Sequence, residues 1–164
     1  MITIRRIYND EWQLFKTLRL ASLKESPQAF SSTYESAVNR TNESWSEQAK
    51  TTATGSNKIT FITFDDDLPI GIAALYRDEK KFEQGEILQV WIAPEYRGSE
   101  VAFELMNTIF QWAKENEFKQ IKAIVTEKND RALKFYLKYG FEKDKLSIQD
   151  NHGNNILYKK ILLV

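Results

Sequence analysis

Between Glu86 and Gly140 the spacing of apolar residues changes from strand-like to helical twice in succession, and this double switch limits the fold more than any other feature. Glu86-Ile87-Leu88-Gln89-Val90-Trp91-Ile92 is rich in branched and aromatic residues and is ended by Pro94, which predicts a strand. Val101, Ala102, Leu105, Met106, Ile109, Phe110 and Ala113 then recur three to four apart, as on one face of a helix. Ile121 to Thr126 reads as a strand again, and Asp130 to Tyr139 as a second helix closed by Gly140. A strand-helix-strand crossover of this kind requires helices packed on a sheet.

The preceding half supplies more strands. Ile2-Thr3-Ile4-Arg5-Arg6 alternates and predicts a short first strand, after which Asn9-Asp10 offers a cap for a helix. That helix carries Trp12, Phe15, Leu18 and Leu23 at helical spacing and is stopped by Ser26-Pro27. The polar stretch from Asn39 to Gly55, anchored only by Ser44-Trp45 and Ala49, reads as a mobile second helix and a loop. Ile59 to Phe64 and Ile70 to Tyr76 are strands joined at the Asp65-Asp66-Asp67 turn, and Ile156 to Leu163 is a last strand. The order is βα(α)ββ followed by βαβαβ, an α/β (α+β) chain with a mixed sheet and no internal repeat.

A chain of 164 residues supports one core, so residues 1–164 are expected to form a single domain. Lys+Arg and Asp+Glu both number 23, so no excess positive charge is available to neutralise a nucleic-acid backbone. The absence of cysteine excludes a disulfide framework, a thiolate metal site and a cysteine nucleophile; no metal is expected. No apolar run reaches the ~18 residues that span a bilayer, so neither a membrane nor nucleic acid is an expected partner, and the expected location is cytoplasmic.

The chemistry concentrates at the two strand-helix turns. The first turn of a helix leaves backbone N–H groups unpaired, and the peptide dipoles favour an anion there. In Pro94-Glu95-Tyr96-Arg97-Gly98-Ser99-Glu100-Val101-Ala102, Arg97 adds a cation and Gly98 permits close backbone approach, which suits a pyrophosphate, although an ordinary turn reads equally well. The second turn leads into Asn129-Asp130-Arg131-Ala132-Leu133-Lys134-Phe135-Tyr136-Leu137-Lys138-Tyr139-Gly140-Phe141. That stretch resembles the Asn-x-x-Ala…Tyr…x-x-Gly-Phe pattern of the GNAT superfamily of N-acetyltransferases, and the earlier turn resembles the V-x-P-x-x-R-G-x-G-x-G/A loop of the same superfamily, in the same order. Leu18 to Phe30 also resembles the first helix of many bacterial members, so the likeness extends over nearly the whole chain.

The resemblance implies a mixed, mostly antiparallel sheet of roughly six to seven strands with a central parallel splayed pair, flanked by about four helices. It implies acetyl-CoA as cosubstrate, with Val90, Trp91 and Ile92 holding pantetheine and the acyl carbonyl. Arg97, Gly98, Ser99, Glu100, Val101 and Ala102 would wrap the pyrophosphate, and Asn129 would touch pantetheine. Tyr136 would stand near the sulfur and protonate the departing thiolate, while a primary amine of a small molecule or peptide attacks the thioester directly. A homodimer is a further expectation from the likeness.

Tyr136 also reads as a core aromatic beside Ala132, Phe135 and Tyr139. Glu86, placed by period two on one strand face with Leu88 and Val90, is the preferred base; Glu83, Glu35, a water chain or an already neutral amine are alternatives. His152, in an Asp-Asn-His-Gly turn, is left without a role. Phe30, Tyr34, Glu35 and Trp91 are candidate liners of the acceptor cleft, with Glu35 able to attract a cationic amine. One departure stands out: Glu100 occupies a position where the superfamily carries glycine. A carboxylate beside a phosphate opens a second reading, a catalytically weakened relative that serves as an acyl-CoA-binding or regulatory module.

Overall fold

The computed structural model of the chain describes residues 1–144, 150 and 152–162. Alternating residues at the N-terminus form β1, Ile2–Arg6, which pairs antiparallel with β2, Lys58–Asp65. A turn through Asp66, at φ 52, returns the chain as β3, Leu68–Arg77. Next comes β4, Gln84–Ile92, antiparallel to β3, and then β5, Gln120–Val125, which pairs parallel with β4. β7, Asn155–Lys160, lies between β5 and the two-residue β6, Glu142–Lys143. The result is one seven-stranded sheet in the order β1-β2-β3-β4-β5-β7-β6, with β4 and β5 as its parallel pair.

Helices cover both faces. On one side α1, Trp12–Glu25, α2, Tyr34–Val38, and α3, Asn42–Ala53, pack over a core containing Phe15, Trp45, Ile62, Ile72 and Trp91. On the other, α4, Val101–Glu115, and α5, Asp130–Tyr139, cover Ile59, Leu75, Ile87, Phe118 and Leu157. Asn129 caps α5 by accepting the Ala132 N–H at 3.2 Å, and Gly140 ends it at φ 116, the left-handed geometry of a helix stop.

Two sequence expectations for the N-terminal half change. The first helix begins at Trp12, because Glu11 rather than Asn9-Asp10 precedes it; Glu11 binds Arg5 through both oxygens at 2.8 and 2.9 Å and accepts the Tyr8 N–H. The stretch expected to be a mobile helix and a loop holds α3, which is fixed by the fully buried Trp45, edge-on to Phe15 at 5.4 Å. Thr41 caps α3 by accepting the Ser44 N–H at 3.1 Å. Leu163, assigned from the sequence to the last strand, and Asn151, assigned to the loop turn, lie outside the described residues.

A bulge in β4 governs the site. Ala74 pairs with Leu88 and Ile72 with Trp91, so Gln89 and Val90 together stand opposite Ala73. Gln89 takes φ 58, a left-handed conformation uncommon outside glycine. The extra residue reverses the strand's alternation: Glu86 and Leu88 share a face with Trp91, whereas Val90 turns toward the core under α4. The period-two expectation that grouped Val90 with Glu86 is corrected on this point.

Candidate active site

The parallel ladder between β4 and β5 runs from Gln84↔Gln120 to Ile87↔Ala123 and stops there. Beyond it β4 continues to Ile92 and β5 to Val125, and the two strands no longer pair. Backbone groups of β4 past Leu88 that face β5 therefore lack a strand partner. The loop after α1 lies across this gap, held by the Thr126 hydroxyl, which donates to the Gln28 carbonyl at 2.6 Å.

Two cavities open at the gap. One, of about 440 Å³, is lined by Arg19, Ser31, Glu86, Gln89 and His152 among others. The second, of about 180 Å³, is lined by Trp91, Ile92, Arg97, Gly98 and Ala102 among others. Phe30, Val90, Asn129, Ala132 and Tyr136 line both. The cavities thus share a wall, and Tyr136 is part of it.

Tyr136 is 8% exposed, packed edge-on against Phe141 at 5.1 Å and Phe135 at 5.6 Å. Among the described residues its hydroxyl makes no hydrogen bond. Burial raises its pKa far above that of an ordinary phenol, so it keeps its proton at neutral pH. Asn129 uses Oδ1 to cap α5, leaving its amide NH2 available to the cavities. Glu86 faces Lys122 across the parallel pair at 3.6 Å. Glu83, the other carboxylate on this stretch, pairs with Lys119 at 2.9 Å and lines neither cavity at the gap.

The turn before α4 is tied to the end of α1 through Arg97. Arg97 is not a free cation: Nη1 and Nη2 donate to the two Glu25 oxygens at 2.6 and 2.9 Å, and Nε donates to the Ile92 carbonyl at 3.0 Å. Trp91 Nε1 donates to Glu25 at 3.2 Å, and the Ser26 hydroxyl donates to it as well. Arg97 above all, with Ser26 and Trp91 adding and burial opposing, pulls the Glu25 pKa down to about 2. Gly98 has φ 80 with open space where a Cβ would stand.

The rest of the turn is arranged around backbone donors. Ser99 donates its hydroxyl to the Tyr96 carbonyl, and its Oγ accepts the Val101 N–H at 3.4 Å. The first helical bond of α4 runs from Glu104 N–H to the Glu100 carbonyl, so among the described residues the N–H groups of Ala102 and Phe103 find no backbone acceptor. Glu100 is exposed and helical, at φ −77, and its side chain caps nothing. The left-handed requirement of the turn falls on Gly98, so a side chain at position 100 strains no backbone.

Phe30 lines both cavities, whereas Tyr34 and Glu35 line neither; Tyr34 is 39% exposed and Glu35 is exposed, both on the outward part of α2. Trp91 is buried, its ring inside the core and its N–H on Glu25. Three residues at the gap escaped the sequence reading. Arg19 is separated from Phe15 and Leu23 by one helical turn each and so falls on the buried face of α1, a signal that could have found it. Glu25 meets Arg97 across 72 positions of sequence, which no local pattern reveals. His152 comes to the larger cavity beside Asp150, whose Oδ1 accepts its N–H at 2.9 Å.

A sheet parted between two parallel strands, with an anion-receptive helix start on one side and a polar cavity on the other, defines an acyltransferase type of fold. The chain belongs to the acetyltransferase (GNAT) family, whose model matches residues 4–141. Solved structures agree with that assignment. A GNAT-family acetyltransferase from Streptococcus pneumoniae superposes with a TM-score of 0.80 at 19% identity, covering 98% of this chain and 99% of that one. The PaiA N-acetyltransferase of Thermoplasma acidophilum, solved in complex with coenzyme A, gives 0.78 at 19% identity with coverage of 98% and 99%. The GNAT domain of S. lividans PAT gives 0.76 at 15% identity, with coverage of 96% and 89%. At these identities the likeness is one of fold. No curated protein matches the chain.

Proposed function

We propose that the chain is an N-acyltransferase that moves the acetyl group of acetyl-CoA to a primary amine of a small molecule or peptide by direct attack. One observation carries this reading: two cavities on either side of the strand gap share Val90, Asn129 and Tyr136, so two substrates can meet at one wall. The coenzyme A bound in the Thermoplasma acetyltransferase supports an acyl-CoA as one of the two, and we assign it to the smaller cavity.

The residues there suit such a ligand. Unpaired N–H groups at Ala102 and Phe103, with Gly98 leaving space, fit a pyrophosphate, and the unpaired backbone near Val90 with the Asn129 amide fits pantetheine. Bound acetyl-CoA supplies a thioester carbonyl and a thiolate leaving group. Tyr136 holds its proton until the thiolate needs it, and Glu86, beside Lys122, takes a proton from the amine. We place the reaction in the cytoplasm because a chain without cysteine suits a reducing compartment.

The test combines binding and turnover. Acetyl-CoA at a hundred times its Kd is expected to stabilise the protein by about 2.7 kcal/mol, read as a rise in melting temperature. A panel of amines should then release free thiol from acetyl-CoA. A panel in which no amine releases thiol would overturn the reading, and the absence of stabilisation as well would exclude acetyl-CoA as the ligand.

A further inference from the structure

Arg19 lines the larger cavity and the reaction described above does not use it. It is 5% exposed, on the inward face of α1, with its guanidinium 4.8 Å from the Phe30 ring centre. Among the described residues the guanidinium makes one hydrogen bond, from Nη1 to Ser22 Oγ at 3.2 Å. No carboxylate among them lies within ion-pair distance. Burial above all, with the nearby Arg40 adding and Tyr76 opposing, lowers its pKa to about 10, which still leaves it charged at neutral pH.

A guanidinium carries five N–H donors, and a buried cation with most of them unmet is costly unless an anion meets them. Among the described residues the protein offers none. Arg40 adds charge of the same sign and donates to Ser44 and Gln48 rather than to an acid. The carboxylates of this cavity have partners of their own: Glu86 has Lys122, and Asp150 accepts the N–H groups of His152 and Asn154. The same cavity holds the converse orphan, since Gln89 Oε1 at the β4 bulge is buried and accepts no hydrogen bond among the described residues. An unmet cationic donor and an unmet acceptor in one cavity describe the ligand between them.

Resting on the acyltransferase reading above, we propose that the acceptor is a small amino carboxylate, its carboxylate held by Arg19 and its primary amine at the Glu86 and Gln89 wall. A planar guanidinium takes a carboxylate through two parallel hydrogen bonds, and a volume of about 440 Å³ admits an amino acid or a small derivative. Polycationic amines meet like charge from Arg19 and Arg40 and are disfavoured. In the transfer the neutral amine forms a C–N bond to the acyl carbon as the C–S bond breaks. Glu86 takes the proton released from nitrogen, and Tyr136 gives one to the thiolate and regains it from solvent.

The experiment measures thiol release from acetyl-CoA with the proteinogenic amino acids, each against its own carboxamide. The wild type is expected to show a KM at least about tenfold lower for the preferred acid than for its amide. Arg19→Gln should bring that ratio toward one, and Arg19→Lys should keep part of it. A wild type that uses acids and amides alike, or a preference that survives Arg19→Gln, overturns the proposal and leaves the acyltransferase reading standing. Should Arg19→Gln fail to fold, the wild-type ratio and its change in Arg19→Lys decide. If no amine releases thiol, the acyltransferase reading fails, and calorimetric titration of the same acids and amides into the wild type tests Arg19 directly. Binding of acids without amides supports the site, and binding of neither overturns it.

Discussion

Tyr136 stands where the two cavities meet, and its hydroxyl is protonated and makes no hydrogen bond among the described residues, so its loss should fall on turnover rather than on cosubstrate binding. Tyr136→Phe is expected to lower turnover by about 100-fold, with acetyl-CoA affinity by calorimetry nearly unchanged. Full turnover in that variant would remove Tyr136 as the acid. Glu25 makes a different kind of prediction. Its pKa is depressed from 4.5 to about 2, so its contribution to stability is present above the ordinary carboxylate range and is lost as pH falls from 4.5 toward 2. Glu25→Gln should therefore be less stable than the wild type by about 1 kcal/mol at neutral pH, with the difference closing in that acid window. Urea unfolding at a series of pH values reads it, and a difference that persists to pH 2 would place the effect outside the Arg97 pair. The two residues were unequally legible. Tyr136 and Asn129 sit in one short helical pattern that sequence displays directly, whereas Glu25 acquires its partner only when α1 is laid against the turn before α4.

The turn before α4 separates two roles that the sequence reading placed on one residue. Gly98, at φ 80, meets the conformational demand, and Glu100 meets none. Gly98→Ala is expected to cost about 1 kcal/mol of stability although nothing lies within 4 Å of the added carbon, because the strain is in the backbone. Glu100→Gly should leave stability within a few tenths of a kcal/mol, as befits a helix start, while tightening acetyl-CoA by about 1 kcal/mol at low salt. The gain should shrink as salt is raised, since only charge is screened. Equal affinities for wild type and variant would mean that the carboxylate points away from the phosphates. Elements with strong periodicity were the readable ones: α5 has the predicted bounds, and α4 differs only at its end, at Glu115. β6 was missed because Glu142 and Lys143 are exposed polar residues with no pattern to report. The bulge at Gln89 was missed because backbone register depends on the partner strand β3, which one strand's sequence does not contain.

At the scale of the molecule, the mixed sheet and its two helical layers followed from the order of elements, but the order of strands did not. Which strand lies beside which is settled by contacts between segments far apart in the chain. The insertion of β7 between β5 and β6 is one such outcome. Leu157, in the middle of β7, is fully buried in the core under α4 and α5. Leu157→Ala should lower the unfolding free energy by about 3 kcal/mol, measured by denaturant titration. A loss below about 1 kcal/mol would mean that the surrounding core closes over the missing atoms. The same insertion bears on how the polypeptide is made. Among the described residues β7 is the strand partner of both β5 and β6, and the ribosome produces it after either. Until Asn155–Lys160 has emerged, one edge of Gln120–Val125 stays bare, so a nascent chain arrested before that point presents an open template to its neighbours and a target for chaperones.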